Sequence, residues 1–188
     1  AELQTQAAAK KAIEIKGPVA IIIKKNTFDK YASLKLESDL PMERKEAITA
    51  AAEILEDDAA IICTTGMPSR ELFEFRAQRQ AGHHRDFLTV GGMGHASQIA
   101  LGLAMAQPSR PVYCFDGDGA ALMHMGSMAI MGQSNSQNLM HLVFNNGVHV
   151  SVGGQPTVGF AIDLRQIATA CGYASAQRVT TVDDLRNA

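Results

Sequence analysis

The sequence predicts a doubly wound α/β fold, a mostly parallel sheet with helices on both faces. Three observations carry this. Short β-branched or aromatic segments alternate with helical patterns, a polar or glycine-bearing stretch follows each apolar run, and 188 residues suffice to bury a sizeable core. The strand candidates are VAIIIKK (19–25), AAIICTT (59–65), PVYCFD (111–116) and LMHLVFN (139–145). Between them run the helical patterns ERKEAITAAAEILED (43–57), SRELFEFRAQRQ (69–80), ASQIALGLAMAQ (96–107) and ALMHMGSMAIMGQ (121–133). Ser69 is placed to cap the second of these. Ligands bind such sheets beyond the carboxyl ends of the strands, where TTGMPS, DGDG and NNGVH all fall.

The first 25 residues read as a helix, a Gly17-Pro18 turn and one apolar strand. The polar NTFDKYASLKLESDLP (26–41) then reads as a linker. The expected organisation is the tail of a preceding domain over 1–25, a linker over 26–42 and a ligand-binding domain over 43–188, truncated at its C-terminus. There, TVDDLRNA (181–188) reads as the first turn of a helix.

Composition excludes several classes of function. Hydrophobic residues make up 46% and charged residues 19%, as in ordinary globular proteins. A net charge of -2 leaves no electrostatic footprint for nucleic acid or anionic lipid. The longest apolar runs are strand-sized, so no transmembrane helix is expected, and the charged N-terminal stretch is not a signal peptide. Cys63, Cys114 and Cys171 are widely spaced in apolar contexts. They read as reduced core thiols of a cytoplasmic protein, and no histidine pair has the spacing of a zinc site.

The chemistry lies in PVYCFDGDGAALMHMG (111–126). A strand ending in Asp116 and turning at Gly117 and Gly119 leaves Asp118 at the sheet edge, with a helix starting near Ala120. Helix-start amides attract phosphate, whereas a carboxylate repels it unless a cation lies between. A hard divalent ion such as Mg²⁺, bound by oxygens and completed by phosphate, resolves the conflict. The next strand ends in FNNGVHVS, with Asn145 and Asn146 standing 27 and 28 residues after Asp118. One strand-helix-strand crossover takes about thirty residues, so the two loops can be neighbours. Each loop alone is ordinary turn chemistry; together, at crossover spacing, they favour a metal-diphosphate site. VGGMGHASQIALGLA (90–104) fails as a dinucleotide fingerprint, because Ser97 stands where the last glycine belongs. Among the histidines, His83 and His84 read as solvated and His141 as a satisfied core residue. His95, His124 and His149 lie near the glycine loops, and His149 is the best candidate for a substrate-facing group.

GDG, 25 residues and then NN resembles the signature of the thiamine diphosphate-dependent 2-keto acid decarboxylase family, in its diphosphate-binding domain. The resemblance implies that Asp118, the Asn146 side chain and the Val148 carbonyl hold Mg²⁺. It also implies that Gly117, Gly119 and Ala120 meet the diphosphate, and that Asn145 makes a supporting hydrogen bond. In GGMG, Gly91 and Gly92 would lie against the aminopyrimidine, with the Gly91 carbonyl accepting from its amino group, and Met93 would wedge between the two rings. Thr65 and Gly66 of TTGMPSRELFEF would approach the diphosphate. With ALMHMG and NNGVHVSVGGQPT, these stretches are most similar to phosphonopyruvate decarboxylases and, more loosely, to the sulfopyruvate decarboxylase subunit bearing the same domain.

The activity that the resemblance implies is decarboxylation of 3-phosphonopyruvate to phosphonoacetaldehyde, or of sulfopyruvate, with thiamine diphosphate and Mg²⁺ as cofactors. The activating glutamate would belong to a pyrimidine-binding domain, of which residues 1–25 would be the last helix and strand. This chain would therefore be inactive without that domain, supplied by the same or another chain, in a homo-oligomer. Two readings outside catalysis are a Mg²⁺-nucleotide-binding module and an assembly domain that has lost its ligand.

Overall fold

The computed structural model describes residues 2–28 and 39–188. The chain divides into two units, 1–32 and 33–188. In the first, α1 (Glu2–Ile15) ends where Lys16 turns left-handed at φ 50 and the Gly17 amide donates back to the Ala12 carbonyl. The expected strand over 19–25 does not form. Its residues carry no ladder, and Ile22 is 91% exposed. A strand needs a partner for its amides and carbonyls, and the described residues of this unit offer none. Of the linker, residues 29–38 lie outside the described residues.

The second unit opens with α2 (Arg44–Ile54), β1 (Ala60–Cys63), α3 (Met67–Gln78) and β2 (Asp86–Leu88). It continues with α4 (Ala96–Ala106), β3 (Val112–Gly117), α5 (Asp118–Met123), α6 (Gly126–Gln133) and β4 (Leu139–Phe144). The sheet is parallel throughout, in the order β2-β1-β3-β4. Alternation along the strands divides the core. Ile61, Cys63, Tyr113 and Phe115 face Ile48 and Ala51 of α2 and Leu72 and Phe75 of α3. Ile62, Val112 and Cys114 face the alanine stripe Ala96, Ala100 and Ala104 of α4. Burying a side chain such as Phe115 or Ile61 contributes about 1.5–3 kcal/mol, and the stripe of small residues lets α4 approach the strands closely. Helices thus cover both faces, as the pattern predicts.

Two largely buried ion pairs tie neighbouring elements together. Arg44 grips Glu71 through two hydrogen bonds of 3.0 and 2.8 Å, joining α2 to α3. Arg76 grips Asp86 at 3.1 and 3.2 Å, fastening edge strand β2 under α3. The sequence pattern does not announce that strand, because DFL is three residues long and lacks alternation.

Two other expectations change. Helix α3 starts two residues early, with Gly66 at the cap position, so Ser69 lies inside it and its hydroxyl donates to the Thr64 carbonyl at 2.7 Å. The helix expected over 121–133 is two helices, because the backbone leaves the helical region at His124, φ -129. After β4 come a short hairpin, β5 (Val148–His149) with β6 (Gln155–Pro156), and then α7 (Leu164–Cys171). Asp163 caps α7 by accepting from the Arg165 and Gln166 amides, and left-handed Gly172 closes it. An acid nine residues before a glycine is a readable helix signature, though the strand-helix pattern above did not include it. The last helix, α8 (Val182–Arg186), is short and capped by Thr181.

Candidate functional site

Strand order puts the change of winding direction between β1 and β3, where the loops leaving the two strands diverge and open a crevice. A cleft lies there, lined by Thr64, Thr65, Met67 and Pro68, by the turn Gly117–Ala120, by Met93 and by Asn146 and Val148–Ser151. Thr65, Met93, Gly117, Asp118, Gly119, Ala120, Asn146, Val148 and His149, all singled out in the sequence, share this one cleft.

Asp118 is the first residue of α5 and only 2% exposed. Its Oδ2 accepts the Thr157 hydroxyl proton. The Asn146 side-chain oxygen accepts from the Val148 amide at 3.3 Å, which folds the loop so that Asn146 and Val148 meet at the cleft. Asn145 works beside them: it donates to the Gly159 carbonyl at 2.6 Å and accepts from the Gly147 amide at 3.1 Å. Gly119 has no room for a side chain, since a Cβ there would sit 2.5 Å from His149 Cε1 and 3.3 Å from the Met93 methyl. His149 therefore lies over the glycine turn inside the cleft.

Thr65 joins the cleft to the GGMG loop by accepting the Gly91 amide at 3.0 Å. Gly66 takes φ 104 and faces the Ser151 hydroxyl. Gly91 and Gly92 take positive φ of 83 and 61, are exposed and do not line the cleft; they lie on its rim through the Thr65 bond. Arg44, the one arginine among the lining residues, and the Thr64 hydroxyl were not singled out in the sequence. The Thr64 oxygen is buried without a hydrogen-bond partner among the described residues. Nothing in its sequence context distinguishes it from a core threonine.

Behind the turn, Asp116 belongs to a different network. Its Oδ1 accepts the Gly117 amide at 2.9 Å, and its Oδ2 pairs with His141 Nε2 at 3.3 Å. His141 Nδ1 meets the Tyr173 hydroxyl at 2.9 Å. His141 is thus the satisfied core residue the strand pattern suggested. Burial pushes the Tyr173 phenol well above its ordinary range. Burial likewise drives the Cys63 thiol up to about 12 against a weaker opposing bond from Ser69, and raises Cys114. All three cysteines are free thiols. Cys114, Asp116 and His141 approach one another closely enough to suggest a metal cluster, but Asp116 and His141 satisfy each other and the thiol is held protonated. His83 departs from expectation in part: its ring stacks on Phe73 at 4.1 Å with Nδ1 buried, so it is half-buried, whereas His84 is exposed. His95 and His124 contact each other, centroids 4.4 Å apart, outside the cleft lining.

A parallel sheet whose strand ends bring glycine turns, a buried carboxylate and an asparagine to one cleft defines an α/β ligand-binding domain. The chain belongs to the thiamine pyrophosphate enzyme family, through its C-terminal TPP binding domain, whose model matches residues 62–188. It is 44% identical over 148 residues to the phosphonopyruvate decarboxylase of Streptomyces viridochromogenes, covering 77% of this chain and 36% of that protein. To the sulfopyruvate decarboxylase subunit beta of Methanothermobacter thermautotrophicus it is 38% identical, covering 70% of this chain and 68% of the subunit. The chain therefore spans about a third of the phosphonopyruvate decarboxylases it matches. The benzoylformate decarboxylase of Polynucleobacter necessarius shares the fold, at TM-score 0.59 and 17% identity over 88% of this chain and 34% of that one. No helix among the described residues is long and apolar enough to cross a membrane.

Proposed function

We propose that the chain is the diphosphate- and Mg²⁺-binding part of a thiamine diphosphate-dependent carboxy-lyase that converts 3-phosphonopyruvate to phosphonoacetaldehyde and CO₂. The observation that carries this is the convergence of Asp118, Asn146, Val148 and the Gly117–Ala120 turn on one cleft. The cleft suits the cofactor. Its cation donors are all oxygens, as Mg²⁺ requires, Gly119 leaves a cradle that any side chain would fill, and the Thr64 hydroxyl has no hydrogen-bond partner among the described residues.

In this reading Asp118, the Asn146 side chain and the Val148 carbonyl hold the cation, and Gly119 and Ala120 offer backbone amides to the diphosphate. Thr65 and Gly66 close the opposite wall. Gly91, Gly92 and Met93 meet the aminopyrimidine, Met93 holding the two rings bent. His149, over Gly119, faces the substrate in this reading. Thiamine diphosphate, once bound, supplies the electron sink that lets a 2-keto acid lose CO₂. The activating carboxylate would come from a pyrimidine-binding domain of the same or another chain in a cytoplasmic homo-oligomer. Residues 1–25 would be the tail of such a domain and 26–42 the linker to the domain over 43–188. The relation to sulfopyruvate decarboxylase beta subunits favours sulfopyruvate as the second candidate substrate.

Calorimetry tests the binding half: thiamine diphosphate should bind only with Mg²⁺ present, and tighter than ADP. Preference for ADP would make the chain a nucleotide-binding module, and no diphosphate binding at all would leave it an assembly domain. For catalysis, CO₂ release from phosphonopyruvate should be negligible for the 188-residue chain and appear when it is joined to a pyrimidine-binding domain. Faster release from sulfopyruvate would reassign the substrate.

A further inference from the structure

The segment after the β5–β6 hairpin returns to the start of α5. Thr157, immediately beyond β6, donates its amide to the Gly147 carbonyl at 2.7 Å, which ties it to the asparagine loop. Its hydroxyl oxygen accepts the Gly159 amide at 3.0 Å, so the single hydroxyl proton is directed away, to Asp118 Oδ2. Gly159 seals the contact: a Cβ there would lie 2.6 Å from Asn145 Oδ1 and 2.7 Å from Asp118 Oδ2, and its carbonyl accepts Asn145 Nδ2 at 2.6 Å. Thr157, Gly159 and Asn145 thus form a clasp that reaches Asp118 from a segment 39 residues away.

The clasp uses one carboxylate oxygen. Among the described residues Asp118 Oδ1 accepts no hydrogen bond, and Asp118 lines the cleft. From this geometry we infer that Thr157 is a positioning residue of the cation site: it fixes the Asp118 carboxylate through Oδ2 and leaves Oδ1 for the cation. The inference rests on the cation-diphosphate reading above. The physical reason is general. A ligand carboxylate free to rotate loses orientation entropy on binding, and hydrogen-bond partners outside the ligand set remove that cost in advance.

The test is a calorimetric titration of Mg²⁺ into the chain with saturating thiamine diphosphate, comparing wild type with Thr157→Val and Thr157→Ser. Removing such a partner weakens metal affinity by about 10- to 100-fold. The valine variant should show that loss while still folding cooperatively, with a modest drop in Mg²⁺-free melting temperature from the two lost hydrogen bonds, and serine should restore most of the affinity. Equal or tighter Mg²⁺ binding by the valine variant overturns the inference, the tighter result meaning that Thr157 blocks the carboxylate. Equal losses in both variants, with lowered melting temperature, also overturn it by reducing the residue to packing. Absence of Mg²⁺-dependent binding in wild type defeats the cation-diphosphate reading itself, and the inference with it. Wild-type binding with an unaffected valine variant defeats only the role of Thr157.

Discussion

Asp116 and Asp118 flank one glycine and are almost equally buried, at 1% and 2% exposure. Strand alternation and the turn nevertheless send them to opposite tasks. Asp116 still obeys the pleat of β3, so it shares the face of Val112 and Cys114 and finds His141 on the neighbouring strand. Asp118 is past the strand, where α5 begins, and its carboxylate meets a clasp and an open cleft. The first acid has both oxygens engaged by the fold, whereas among the described residues the second has only Oδ2 engaged, which in the proposed reading leaves Oδ1 for the cation. Burial does not separate the two carboxylates; the number of oxygens already engaged does.

The sharpest way to break this contrast is to remove each acid in turn. Asp118→Ala should lower Mg²⁺-dependent thiamine diphosphate affinity by at least about 100-fold in calorimetry, on the scale of losing a metal ligand. Its melting temperature should stay near wild type; unchanged affinity would end the proposed site. Asp116→Ala should do the reverse. It leaves His141 buried beside an empty partner and should cost about 3 kcal/mol in urea denaturation, while the cation binding that remains measurable changes less. If Asp116→Ala abolished binding and spared stability, the assignment of the two acids would be inverted.

A milder test lies one bond further back. Tyr173→Phe removes the hydroxyl that meets His141 Nδ1 and should lower stability by about 1 kcal/mol, with ligand affinity intact. The smallest effect is expected at the cap of α7. Hydrogen bonds from the Gln166 amide, then Arg165, hold the exposed Asp163 carboxyl below its ordinary value. A depressed folded value means that this cap stabilises above the unfolded carboxylate range and is lost as pH falls through the folded value. Asp163→Ala should therefore flatten the acid limb of an α7 stability profile below about pH 4, and leave neutral-pH binding untouched. A variant whose acid limb matched wild type would remove Asp163 from the cap.

Much of this is readable without coordinates. The alternation of strands and helices, and the crossover spacing between DGDG and NNG, locate the cleft loops because both depend on local periodicity and chain length. The strand expected over 19–25 misleads for the opposite reason: apolar β-branched residues announce a strand only if a partner offers its ladder. Edge strand β2 escapes because its stability comes from the Arg76–Asp86 pair and its neighbour β1 rather than from its own pattern. The break between α5 and α6 escapes likewise, since helical periodicity continues across His124 while the backbone does not.

The sequence by itself determined the fold class, the two-faced core and the residue types at the sheet edge, since hydrophobic period and glycine placement act over a few residues. Only the tertiary structure decided what each group touches. It gave Asp116 to His141 and His141 to Tyr173, brought Thr157 and Gly159 onto Asp118, and set Arg44 and the Thr64 hydroxyl, unpartnered among the described residues, in the same cleft. The bonds of Asp116 to His141 and of Asp118 to Thr157 join residues 25 and 39 positions apart, and no local rule of propensity or spacing reaches that far.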